Sequence, residues 1–179
     1  MLDAKTKAII LGCVFCFFLV LAFFENILFI ENIGSIFVNP LIALTMVFIH
    51  NVIVVSLIII GMSFYVEFVT GFLPKREIEY VVLNHPRIFA VIFTLIILVI
   101  SILRIYWLLY RRILMDVIAI IMLISLPHGI VEAYGIYKAI HETLANKLSN
   151  KALTKIYLIF LLAAILEVGF VQALKYQAP

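Results

Sequence analysis

The sequence predicts an all-α membrane protein, a bundle of about five transmembrane helices in a single integral membrane domain over residues 1–179. Three observations carry this reading. Hydrophobic residues make up 66% of the chain and charged residues only 13%, where a soluble domain carries about a quarter charged. The mean hydropathy is +1.27, so there is too little polar surface to cover a sphere in water. The apolar residues fall into five runs, each about the ~20 residues that ~30 Å of hydrocarbon requires. No run alternates as a half-buried strand does, and no internal repeat is evident.

The spans follow in order. The first covers about 8–29; it is longer than the apolar core of a cleavable leader and lacks a small-x-small site before "ENIL", so it reads as a retained helix. The second covers about 41–69, where Asn39-Pro40 suits a helix start and Gly71 with Pro74 suits a stop. The third covers about 87–110, the fourth about 113–145 and the fifth about 152–175. Pro127 lies inside the fourth. It has no amide to donate and clashes with the preceding turn, so a kink is expected there. Between spans, "ENIGSIFVN" reads as interfacial and "REIEYVVL" as a short amphipathic helix or ordered surface loop. "YRRI" is so short that spans three and four form a tight antiparallel hairpin, and a turn is expected near Ser149-Asn150.

Basic residues set the expected orientation. Lys5, Lys7, Lys75, Arg76, Arg87, Lys138, Lys147, Lys151 and Lys155 share one side; Arg104, Arg111, Arg112 and Lys175 share the other. The richer side is cytoplasmic by the positive-inside rule, which places a cell-membrane protein with its N-terminus inside and its C-terminus outside. The net charge of +3 is small and the basic residues are scattered, so no nucleic acid is expected as a partner. Cys13 and Cys16 have CxxC spacing but stand alone within an apolar span, and read as inert apolar thiols.

Ionisable groups at membrane depth cost a few kcal/mol and need a partner, a wet cavity or a function. The fourth span carries "LPHGIVEAYG". His128 and Glu132 are four apart, on one helix face and able to touch. Gly129 admits a close neighbour, and Gly135 continues a small-residue track. The second span carries His50 and Asn51 roughly 15 Å in from Pro40, with Gly61 further along. Asn51 can bridge helices or complete the pairing of His128 or Glu132, while His50 must point elsewhere. Glu167 lies well inside the fifth span, with Arg104 or a histidine as its expected partner. Asp116 suits the first turn of the fourth span, and Glu25 and Asn26 read as solvated. His128, Glu132, Asn51, His50 and Glu167 thus form a candidate polar intramembrane site. Each is open to two readings, helix-to-helix glue or an ion, proton or metal site. HExxH, a nucleophile elbow, a phosphate loop and a Walker motif are all absent from the sequence, so no catalytic set, bound metal or cofactor is expected.

These residues carry a resemblance. "FIHNVIVVSLIIIG" followed by "PHGIVEAYGIYKA" resembles the stage II sporulation protein M family and its archaeal relatives. The likeness extends from the second span onward. Its most specific part is the HG-x-x-E signature of His128, Gly129 and Glu132, followed by small residues, here Ala133 and Gly135; Asn51 and Gly61 fit less specifically. The chain departs at "VLNHPRI", where the family often has Asn-Gly and this sequence has Asn84-His85. The resemblance implies a membrane component of a wall-remodelling complex, and more generally a unit made by His128, Glu132 and Asn51. The expected function is a non-enzymatic, homo-oligomeric scaffold or membrane-complex component. Its expected partners are lipids and other membrane proteins. The alternative is a small ion- or proton-coupled transporter or channel; a membrane-embedded metal enzyme is a more distant third.

Overall fold

A computed structural model describes residues 3–73, 77–110 and 115–177, without the side chains of residues 30, 33–34, 77–79, 102, 104–125 and 177. The described residues are helical with no strand. The helices are α1 (Ala4–Glu31), α2 (Ile33–Ile36), α3 (Pro40–Phe72), α4 (Glu77–Asn84), α5 (Pro86–Tyr110), α6 (Met115–Leu144) and α7 (Asn150–Gln177). Among the described residues three stretches are long and apolar enough to cross a membrane: Ala4–Phe29, Pro40–Phe72 and Asn150–Tyr176. The "ENIGSIFVN" connection contains the single turn α2, and "REIEYVVL" falls within or beside the short helix α4. Arg111 and Arg112 of the "YRRI" connection, Lys75 and Arg76, and the side chains of Arg104 and Asp116 lie outside the described residues.

Local chemistry sets the helix ends. Asn39 is extended (φ −109, ψ 119) and its Oδ1 accepts from the amides of Leu41 at 2.9 Å and Ile42 at 3.4 Å, with Pro40 opening α3. This satisfies two donors that a helix start leaves orphaned, and proline loses nothing there. Ser149 does the same for α7, its hydroxyl accepting from the amide of Ala152 at 3.2 Å. Asn146 ends α6 with φ 54. The Asn146 amide donates to the Thr143 carbonyl at 3.0 Å and the Lys147 amide to the Glu142 carbonyl at 2.8 Å. That is the Schellman pattern with asparagine in the left-handed position. α6 is continuous through Pro127.

The helices pack in a chain of neighbours. α1 lies on α3; α3 also meets α6 and α7; α6 meets α5 and α7; α4 joins α3 to α5. Knobs of aromatic side chain against glycine set the α1–α3 register. An added Cβ at Gly61 would stand 2.8 Å from the Phe15 ring, one at Gly12 3.1 Å from the Phe64 ring, and one at Gly71 3.2 Å from the Ala4 backbone. Residue numbers in these contacts rise on one helix as they fall on the other, so the two helices form an antiparallel hairpin. Gly135 of α6 receives the Phe160 ring of α7 in the same way, at 2.8 Å. Two apolar clusters result. One gathers Val55, Ile59, Ala90, Ile136, Ile140, Ile156 and Phe160 toward the end of the bundle that holds Arg87, Lys147 and Lys151, here called the basic end. The other gathers Ile36, Phe37, Ala43, Val47, Ala164 and Val168 at the far end.

Gly129 departs from expectation. Among the described residues nothing lies within 4 Å of a Cβ built there. Beside it Leu126, Pro127 and Ile130 are exposed, while His128 of the same turn is half-buried. Close approach occurs at Gly135 and Gly61 instead.

Candidate functional site: a polar layer between two apolar clusters

Asn51 projects from α3 between the two clusters and is 8% exposed. Its Nδ2 donates to Oε1 of Glu132 on α6 at 3.4 Å. This bond joins two different helices at the level between the two apolar clusters. α3 and α6 run parallel here, with Val55 and Ile136 and then Ile59 and Ile140 continuing the same register toward the basic end. Glu167 of α7 is half-buried, on a helix that packs against both α3 and α6. Among the described residues no histidine pairs with it. Arg104, the other expected partner, lies outside the described side chains.

His128 does not pair with Glu132. No hydrogen bond or ion pair links them, and the buried Nδ1 of His128 has no hydrogen-bond partner among the described residues. The i,i+4 spacing puts both on one face, but the Glu132 carboxyl reaches the Asn51 amide across the α3–α6 interface instead. The antiparallel register that seats Phe160 on Gly135 places Glu167 of α7 level with His128 of α6.

His50 belongs to a separate contact. Its Nδ1 lies 2.9 Å and 3.1 Å from the two carboxylate oxygens of Glu25 on α1, and its ring stacks on Phe29 at 4.8 Å. Successive residues on a helix diverge by about 100°, so His50 faces α1 while Asn51 faces α6. The expectation of a solvated Glu25 is thus corrected: it is half-buried and paired. A signal was present in the sequence. It was a partial one: a hairpin turning over 32–39 sets position 25 level with about 46, one helical turn short of His50, and the observed register is shifted by that turn. No comparable signal marked Ser56 of α3, whose hydroxyl meets the Tyr157 hydroxyl of α7 at 3.0 Å. Nor did any mark the carbonyl of Phe37, which accepts from Gln172 at 3.0 Å and Lys175 at 2.6 Å.

The layer thus contains an amide–carboxyl bond, a second carboxyl group and an unpartnered imidazole nitrogen, contributed by three helices. Among the described residues no three histidine, cysteine or acidic side chains stand close enough to hold a metal ion. Cys13 and Cys16 are free thiols exposed on α1. Comparison with family models, with curated proteins and with solved structures found no match to this chain.

Proposed function

We propose that this chain is a non-enzymatic, multi-pass membrane protein acting as an oligomeric scaffold or membrane-complex component. α5 and α6 serve as the remaining spans, giving five. Their 25 and 30 residues give lengths of about 37 and 45 Å, enough to cross the hydrocarbon. The N-terminus lies on the cytoplasmic side with the basic end. The observation that carries the reading is how the polar groups at depth are used: Asn51–Glu132, His50–Glu25 and Ser56–Tyr157 each tie one helix to another. Polar groups used in this way stabilise a fixed helix arrangement. The resemblance of the HG-x-x-E stretch to the stage II sporulation protein M family supports the same reading.

A second reading, a proton- or cation-coupled transporter, is favoured by one specific feature. Glu132 and Glu167 are partly buried carboxyl groups on the packed helices α6 and α7, and among the described residues the buried Nδ1 of His128 has no hydrogen-bond partner. Ionisable groups in that state mark transport pathways by default. Purified protein in mild detergent and in liposomes separates the two. The scaffold reading expects a mass that is a multiple of 20.4 kDa, ion and proton flux no greater than in protein-free liposomes, and an intact assembly in Glu132→Gln. Flux above that background, abolished by Glu132→Gln, overturns it in favour of transport.

A further inference from the structure

At the basic end, the start of α5 and the end of α6 enclose a pocket of about 360 Å³. Its wall includes Asn84, His85, Arg87 and Ile88 from the α4–α5 junction, with His141 and Lys147 from the end of α6. Two fixed positive charges and two imidazoles share this wall, and among the described residues no acidic side chain lines it. Glu142, next along α6 from His141, is engaged by Lys138 at 3.5 Å. The first turn of α5 carries no acidic residue either, so the positive end of its dipole is not offset there.

The pocket is held by defined local structure. His85 closes α4 and opens α5 at once: its amide donates to the Val81 carbonyl, and its carbonyl accepts from Ile88 at 3.1 Å and Phe89 at 3.2 Å. The His141 ring stacks on Tyr137 at 5.7 Å, with planes 12° apart. The Asn146 turn stops α6 and sets Lys147 on the pocket wall.

An apolar track leads away from the pocket. Ile88, itself on the wall, begins a line of exposed side chains on α5 that continues through Val91, Ile92, Leu95 and Ile96. The spacing is that of one helix face. The basic wall therefore stands where the hydrocarbon-facing surface of α5 begins.

We propose that this pocket seats the phosphate headgroup of an anionic membrane lipid, with an acyl chain lying along Ile88, Val91, Ile92 and Leu95. A soluble phosphate would use the basic wall but gain nothing from the track. A neutral lipid would use the track but gain nothing from Arg87 and Lys147. Only an anionic amphiphile uses both, and basic pockets between spans are known to take such headgroups.

The test is native mass spectrometry of the full-length chain released from nanodiscs of equal phosphatidylglycerol and phosphatidylcholine. Phosphatidylglycerol should be retained preferentially. Each basic residue near an anionic surface adds about five-fold, so Arg87→Gln with Lys147→Gln should cut the preference by about 25-fold. Arg87→Lys with Lys147→Arg should keep it, which separates lost charge from lost fold. Lys151→Gln with Lys155→Gln removes the same charge from α7 at the same end, outside the pocket wall, and should also keep it. An unchanged preference in Arg87→Gln/Lys147→Gln overturns the proposal. So does an equal loss in Lys151→Gln/Lys155→Gln, which would reduce the effect to diffuse surface charge. Inorganic phosphate titrated into the delipidated protein is the last arm. Saturable, Arg87-dependent phosphate binding without any lipid preference would make this a soluble-anion site and likewise overturn the lipid assignment.

Discussion

Gly135→Ala and Gly129→Ala are the same chemical change six residues apart on α6, and the structure expects them to differ in sign. At Gly135 the new methyl would stand 2.8 Å and 3.0 Å from Cε2 and Cζ of Phe160, and 3.2 Å from Cγ2 of Ile159. Phe160 is only 2% exposed and wedged in the larger cluster, so its ring has little room to swing aside. Overpacking of this kind costs about 1–3 kcal/mol, against about 1 kcal/mol gained from alanine's better helix propensity. Gly135→Ala is therefore expected between neutral and about 2 kcal/mol less stable. At Gly129 nothing among the described residues lies within 4 Å, so only the propensity gain of about 1 kcal/mol remains. The two variants should differ by about 1–3 kcal/mol, or roughly 5- to 150-fold in the folding equilibrium. Unfolding of the purified chain by rising dodecyl sulfate in mixed micelles, followed by far-ultraviolet circular dichroism, measures this. Phe160→Leu shortens the obstructing side chain and should recover part of the Gly135→Ala loss in the double variant. Equal unfolding midpoints for the two alanine variants would refute the α6–α7 packing described above.

Two further outcomes are expected in the same assay. Asn51→Leu removes the donor to Glu132 and should cost about 0.6 kcal/mol and at most about 1.7 kcal/mol, the average and the maximum for interhelical hydrogen bonds in a membrane protein; a gain in stability would show that the α3–α6 bond contributes nothing. Glu25→Gln keeps one acceptor for His50 and should cost under about 1 kcal/mol. Glu25→Leu leaves the imidazole without its partner and should cost about 1–3 kcal/mol, so equal effects of the two would argue against the α1–α3 contact.

Much of the helical layout was legible before any coordinates. Helix ends at Pro40, Pro86 and Phe72 lie within a few residues of the expected span limits, because caps and breakers act locally. Asn51 was expected to bridge helices or to complete the pairing of His128 or Glu132, because each is a polar group in a long apolar run, and it is the Glu132 carboxyl that it reaches. His128 shows the limit of such reasoning. Its spacing from Glu132 allows a contact, yet the carboxyl takes the Asn51 amide, and a helical wheel of one span contains no information about what the neighbouring span offers. Gly129 shows the same limit: glycine permits close approach but does not cause it, and no described residue approaches within 4 Å there.

What the sequence alone determined is the class of molecule: a chain this apolar, with runs of this length, can satisfy its backbone in lipid only as helices. The pairing of those helices was decided by tertiary structure. Which face of α3 meets α1 and which meets α6 sends adjacent residues, His50 and Asn51, to different partners on different helices. That choice depends on how Phe15 and Phe160 fit against Gly61 and Gly135, and side-chain shape at an interface is a property of two helices at once.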